Sequence, residues 1–331
     1  MLLVRKVYAR TSAVEASWTV SLAMLALAAL SLAAKPADFD TKSAAFDVSF
    51  HKETAAYRDL TARLLPGASL TIDALGAPGQ YDLHAADGSF IQHGAHQWVW
   101  HAPQEPGLYN LRIDGPAASD PITLHVFVMV PASEVRDGLL NGFHIGTYPS
   151  KPLNGNPIYR PPSGFIEVTK ANQDTKISPH FRLKQFLCKE DTTTRFPKYV
   201  VLEEWLPLEL EAILERVNTL GFHVDTLHVM SAFRTPYYNH GIGDVLYSMH
   251  QWGSAADIYI DKAGRGQMDD LNHDGRIDVD DAKYLYDAIE QMLTEPPYVK
   301  LQGGMGLYPA TTAHPPFVHV DVRGVKARWR G

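Results

Sequence analysis

Ser248-Met-His-Gln-Trp-Gly-Ser-Ala-Ala-Asp257, completed far downstream by Phe317-Val-His-Val-Asp321, is the stretch on which the reading of this chain turns. It brings together two imidazoles and a carboxylate, His250, Asp257 and His319. Two histidines and one carboxylate make a three-ligand zinc set whose fourth position stays open to water, the arrangement of hydrolytic rather than structural zinc. The spacing constrains the backbone. His250 and Asp257 are seven residues apart, which on a continuous helix is about 10 Å along the axis. One ion with ligand bonds of about 2 Å cannot span that distance. The chain must bend between them, and Gly253 is the residue able to do so. Beyond the bend, residues 257–261 alternate as a short strand. Residues 316–322 form another, with Phe317, His319 and Asp321 on one face and Val318, Val320 and Val322 on the other. The expectation is a site built on a sheet.

The pattern Ser248-x-His250-x-x-Gly253-x-Ala255-x-Asp257 resembles the signature of the zinc D-alanyl-D-alanine carboxypeptidase and murein endopeptidase family, the VanY-like peptidases. Three further blocks follow the same order. Ser178-Pro-His-Phe-Arg-Leu-Lys-Gln-Phe186 is similar to the start of that domain. Ser231-Ala-Phe-Arg-Thr-Pro-Tyr-Tyr-Asn239 is similar to its Ser-x-x-Arg segment. Gly303-Gly-Met-Gly-Leu-Tyr-Pro309 with Phe317-Val-His-Val-Asp321 is similar to the end of its murein endopeptidase branch. The resemblance implies zinc held by His250, Asp257 and His319, and an exported metallopeptidase that cuts peptide bonds in peptidoglycan stem peptides or cross-links. It also implies that Arg234 contacts a substrate carboxylate, as a planar guanidinium can in bidentate fashion, with Ser231 beside it. A D-alanyl-D-alanine carboxypeptidase is the alternative. A catalytically inactive cell-wall-binding protein is the alternative of another class. That last reading stays open because Pro316 stands where related carboxypeptidases carry an acid three residues before the final histidine. Two residues compete for proton transfer. Asp321 shares a strand face with His319 and could reach the bound water or orient the ligand. His314 matches a histidine that another branch carries five residues upstream, although the second histidine of that branch is Phe317 here.

A second metal pattern lies between the zinc ligands. Residues 270–281, Asp-Leu-Asn-His-Asp-Gly-Arg-Ile-Asp-Val-Asp-Asp, fit a 12-residue calcium loop. Asp270, Asn272, Asp274, Asp278 and Asp281 would supply side-chain oxygens, Arg276 its backbone carbonyl, and Gly275 the sharp turn. Asp rather than Glu at the last position resembles the dockerin type of loop. Only one such loop is present where a dockerin needs two, which reads as a calcium-stabilised insertion. A helix is expected after it, with Leu285, Ala288, Ile289 and Met292 on one face.

The chain has 331 residues, 45% of them hydrophobic and 20% charged, with a net charge of -7. This is an ordinary globular composition with room for about two domains, and its sign argues against nucleic acid as a partner. The lone Cys188 excludes an intrachain disulfide framework. Arg5, Lys6 and Arg10 precede an apolar run over residues 18–34. Residues 1–35 therefore read as a signal sequence or signal anchor with the rest exported to the periplasm or cell envelope, touching membrane only through that segment. Residues 60–131 alternate in short strands punctuated by Gly and Pro, as in a small β-sandwich with Trp98 and Trp100 in its core. Residues 132–174 read as a Pro/Gly-rich connector, and an amphipathic helix is expected over residues 206–220. The expected class is α+β: a peptidase domain over residues 175–331, with a small antiparallel sheet and flanking helices, preceded by an all-β sandwich-like domain.

Overall fold

The computed structural model describes residues 39–116, 120–190, 195–296 and 298–331, so the expected signal segment over residues 1–35 lies outside the described residues. The architecture is mixed and rich in strand. Nine strands come first: β1 (Ser43–Phe50), β2 (Glu53–Tyr57), β3 (Asp59–Leu64), β4 (Ser69–Leu75), β5 (Asp82–Ala85), β6 (Ser89–His93), β7 (Gln97–His101), β8 (Gly107–Asp114) and β9 (Ile122–Val128). They form two sheets, of order β2-β1-β4-β7-β6 and β3-β9-β8-β5. Alternation places Leu70, Ile72, Trp98, Trp100, Leu111 and Ile113 in one core. Trp98 and Trp100 are fully buried as expected. The strands begin at Ser43, not at residue 60 as the sequence reading had it, because β1 buries only every second residue, Phe46, Val48 and Phe50.

Seven short strands follow: β10 (Val130–Pro131), β11 (Leu139–Leu140), β12 (Phe143–His144), β13 (Gly164–Val168), β14 (Lys176–Ser178), β15 (Phe181–Arg182) and β16 (Lys198–Val200). Several of these lie in the segment read as a connector. It is not a spacer: Phe143, Ile145 and Phe165 are buried in the main core. Then come α1 (Trp205–Thr219), β17 (His228–Ser231), α2 (Pro236–Gly241), β18 (Ala255–Tyr259), α3 (Val279–Met292), β19 (Gly304–Tyr308), β20 (Phe317–Asp321) and β21 (Ala327–Arg330). The site-bearing sheet has the order β17-β18-β20-β19-β21, antiparallel except for the β19–β21 pair.

Helix α1 differs from the expected amphipathic helix. It is buried on nearly every side because it is a wall shared by two cores. Leu208 packs into the sandwich core, whereas Leu206, Leu210, Ile213 and Val217 pack into the core beneath the site-bearing sheet. Polar contacts fasten the same seam. The Glu204 carboxylate accepts the Arg63 backbone N–H at 2.7 Å and meets His51 Nδ1 at 2.9 Å, and the Tyr57 hydroxyl donates to Glu215 at 2.9 Å. Among the described residues no helix is long and apolar enough to cross a membrane.

Two consequences can be measured. Gly253 has φ 65°, and a Cβ there would lie 2.0 Å from the Val201 carbonyl oxygen. We expect Gly253→Ala to cost at least about 2 kcal/mol, from left-handed backbone strain with a steric clash added, and to lower metal stoichiometry because His250 sits just before the bend. Unchanged thermal melting would refute this. Glu53 lies buried in the α1 seam, where burial, with Glu204 and Glu203 adding repulsion, pushes its carboxyl up to about 9 from 4.5. The folded state then keeps a proton that the unfolded chain releases. That contribution to stability is complete below pH ~4.5 and is lost as pH rises toward ~9. Glu53→Gln should therefore flatten the fall in melting temperature between pH 5 and 8; parallel curves for variant and wild type would exclude the effect.

Candidate metal centre

The sheet assembles the site by register. Asp257 on β18 is paired with His319 on β20, with Ser231 on β17 to one side and Gly306 on β19 to the other. Directly paired residues hold their Cβ atoms about 4.5–5.5 Å apart on one face. This single row explains why ligands far apart in sequence converge. His250 reaches the row from outside the sheet. It lies in a 3-10 turn, Met249–Trp252, that ends at Gly253 in left-handed conformation, and β18 starts two residues later. The bend required by the ligand spacing is thus at Gly253. Gly306 serves by close approach: a Cβ there would stand 2.4 Å from the Trp329 indole nitrogen, so its absence lets Trp329 pack against His319, with ring centroids 5.1 Å apart.

The three side chains are buried and point at one another. His250 Nε2 lies 3.2 Å from Asp257 Oδ1 and 3.1 Å from His319 Nδ1, and His319 Nδ1 lies 2.9 Å from Asp257 Oδ1. Each is oriented from behind. The second ring nitrogen of His250, Nδ1, donates to the Ala232 carbonyl at 2.6 Å, which leaves the Nε2 lone pair facing inward. His319 Nε2 meets Asp321 Oδ2 at 3.2 Å, which turns Nδ1 inward. Arg234 donates to Asp257 Oδ2, which leaves Oδ1 inward. Three inward-facing acceptors repel one another unless a cation or a proton sits among them. Tetrahedral ligands with bonds of about 2.0–2.1 Å would themselves stand roughly 3.3 Å apart. The donor set therefore fits a metal ion, and among the described residues it is the one group of histidine, cysteine and acidic side chains that does so.

The electrostatics agree. Burial pushes Asp257 up, but His250 and His319 outweigh it and hold the carboxyl well below the usual range. Burial lowers His250, with Asp257 opposing. Burial also acts to lower His319, yet its hydrogen bonds to Asp257 and Asp321 prevail and raise it to about 9. A metal ion at this centre must displace that His319 proton.

The cleft in front of these ligands, about 640 Å³ in volume, is walled by Tyr159, Tyr247, Tyr308, Phe317 and Trp329. The other expected site residues fall in varied places. Ser231 Oγ accepts from Arg234 Nε at 2.8 Å, and Arg234 Nη1 also donates to Asp244 Oδ2 at 2.9 Å. Arg234 is thus tied to Ser231, Asp244 and Asp257, and its geometry is that of a group positioning Asp257. Asp321 is fully buried behind His319, on the ring edge away from the inward-facing nitrogen, and is held by Arg323 through Nε at 2.8 Å and Nη2 at 2.6 Å. Burial pushes its carboxyl up, but His319 and Arg323 hold it far below the usual range. Of the two roles expected for Asp321, proton acceptor or orienting partner, its geometry is that of the partner fixing His319. His314 does not line this cleft. It packs on the edge of Phe317 at 5.0 Å and lines a separate surface depression.

Three residues facing the cleft were missed by sequence reading: Asp244, Arg323 and Trp329. No spacing signal marks them, because each reaches the cleft through tertiary packing. Residues 270–281 do not form a comparable cluster among the described residues. Their carboxylates accept backbone N–H groups of the loop itself: Asp270 from Asp274 and Gly275, and Asp281 from Leu271 and Asp278. Asp278 and Asp281 form a capping box at the start of α3. The chain matches no protein-family model and no curated protein.

We expect His250→Ala, Asp257→Ala and His319→Ala each to abolish stoichiometric metal, measured by elemental analysis. Asp321→Asn should weaken affinity about 10- to 100-fold, as loss of an orienting partner does. Because one proton leaves His319, metal affinity should rise about tenfold per pH unit between pH 6 and 8. A chelator-competition titration that gives a pH-independent affinity would exclude that proton.

Proposed function

We propose that this chain is an exported zinc peptidase acting on peptide bonds of peptidoglycan stem peptides or cross-links, with a D-alanyl-D-alanine carboxypeptidase as the alternative. The observation that carries the reading is the inward-facing trio of His250 Nε2, Asp257 Oδ1 and His319 Nδ1 at the base of an open cleft. Two histidines and one carboxylate are the ligand set of hydrolytic zinc, and the resemblance of the four sequence blocks supports the substrate class. Zinc, when bound, supplies a water that ionises near neutral pH and a Lewis acid for a carbonyl oxygen. The protein's residues do the rest. His250, Asp257 and His319 hold the ion, Asp321 and Arg234 fix His319 and Asp257, and the aromatic walls exclude water from a bound peptide.

Proton transfer falls to Asp244. Apart from the ligand Asp257 it is the carboxylate lining the cleft, and Arg234 holds it beside Asp257. It accepts a proton from the attacking water and returns it to the leaving amine. Calcium at residues 270–281 is a further proposal, supported by the oxygen pattern and by Gly275 at φ 85° in the sixth position.

Purified protein incubated with muropeptides, with and without zinc, and analysed by mass spectrometry tests the reading. Zinc-dependent release of cleaved stem peptides is expected; zinc-loaded protein that leaves every muropeptide intact would overturn it. Asp244→Asn should cut turnover about 100- to 10,000-fold while retaining zinc. Wild-type turnover in that variant places the base elsewhere. Calcium should raise the melting temperature, with Asp270→Ala plus Asp274→Ala erasing the rise; identical melts in calcium and in chelator would leave the loop as a capped acidic turn.

A further inference from the structure

The cleft contains two arginines in different states. Arg234 is engaged through all three of its nitrogens, with Ser231, Asp244 and Asp257. Arg323 is engaged along one edge only. Its Nε and Nη2 grip the Asp321 carboxylate, and among the described residues Nη1 has no hydrogen-bond partner. The Arg323 side chain is 21% exposed and lines the cleft, while its partner Asp321 is 0% exposed and does not. The guanidinium carbon lies 5.3 Å from the centroid of the Trp329 ring, and the same ring packs on His319. Asp321 and Trp329 together hold this cation beside a metal ligand.

We propose that Arg323 is the residue with which this cleft recognises a ligand carboxylate, through the fork of Nη1 and the remaining Nη2 N–H. The ligand is a peptide with a free α-carboxylate on the residue that carries the leaving nitrogen. This assignment rests on the peptidase reading for its choice of peptide. A planar guanidinium presents two parallel N–H groups along its end edge, matched to the two oxygens of a carboxylate. Anchoring by Asp321 and stacking on Trp329 fix that fork before the ligand arrives, which removes the side-chain ordering cost. The chain as a whole is acidic, at -7, so an anion is drawn in by this local cation and not by the overall field. Arg234, expected from the sequence to do this work, is already occupied in positioning Asp257.

The test uses the full zinc-loaded chain with two probes, N-acetyl-D-alanyl-D-alanine and its C-terminal carboxamide. Binding is measured by calorimetry, on the metal-stripped chain as well so that turnover does not interfere, and kcat/KM is measured wherever a probe is cleaved. A hydrogen-bonded charge pair contributes about 1.5–3 kcal/mol, so the wild type should prefer the acid about 10- to 150-fold. Arg323→Gln should collapse that ratio toward one. Because the comparison is made within one variant, any disturbance of Asp321 and His319 cancels. Arg323→Lys keeps a charge for Asp321 but loses the fork, and it should lower the ratio about tenfold if the glutamine variant does not fold. Equal binding of acid and amide by the wild type, no measurable binding of either, or an unchanged ratio in the Arg323 variants overturns the assignment. A preserved ratio in Arg323→Lys with a collapsed one in Arg234→Lys overturns it too and returns the role to Arg234. Discrimination in binding without cleavage of any peptide leaves Arg323 as the carboxylate site and overturns the peptidase reading alone.

Discussion

Three hydrogen-bond acceptors that face one another at 2.9–3.2 Å are the constraint around which this structure is arranged. Such a trio is unfavourable unless something positive lies among its members, and it must be held against its own repulsion. Each member is therefore braced from behind: His250 by the Ala232 carbonyl, Asp257 by Arg234 and His319 by Asp321. The braces are braced in turn. Arg234 is tied to Ser231 and Asp244, and Asp321 to Arg323 and the Gly304 N–H. A side chain satisfied on its outer edge presents its inner atom at little cost in order, which is how a fold preorganises a metal centre.

The geometry behind these braces belongs to the sheet. Ser231, Asp257, His319 and Gly306 form one cross-strand row, and slipping one strand by one residue would turn its ligand into the core. The register is secured by the opposite face, where Ile258, Val318, Val320 and Met305 pack in the main core. Helix α1 closes that core from one side and the β-sandwich core from the other, which accounts for its burial all round. The chain between sandwich and sheet contributes Leu153 and Tyr159 to the cleft wall. The cleft thus draws on the chain from residue 153 to residue 329, although the three ligands lie between 250 and 319.

Charge is divided between positioning and reaching. Arg234 and Asp321 spend their hydrogen bonds on fixing Asp257 and His319. Asp244 and Arg323, their salt-bridge partners, both line the cleft, as Arg234 does and Asp321 does not. In each pair the inner member is the less exposed of the two. In such an arrangement a substitution at the outer residue also loosens the inner one.

The three residues that could hold a metal ion, the bend at Gly253, the strand faces on either side and the burial of Trp98 and Trp100 were legible in the sequence. Spacing and alternation are local properties, and the distance between two ligands of one ion is a hard limit that a helix over residues 250–257 cannot meet. Which of its two expected positions Asp321 takes was not legible, nor were the ties of Arg234, the place of His314, or Asp244, Arg323 and Trp329 in the cleft. Whether a polar side chain faces a cleft, braces a neighbour or caps a helix depends on which nitrogen or oxygen is already engaged by a group far away in the chain. Asp281 shows the same thing: its position in a 12-residue pattern suits a cation, while its carboxylate is turned to the backbone amides of Leu271 and Asp278. The sequence by itself determined which atoms could bind a metal and where the chain must turn. Only the tertiary structure decided which of the remaining charges hold those atoms and which are left facing the cleft, because a hydrogen bond once made behind a side chain removes that edge from everything in front of it.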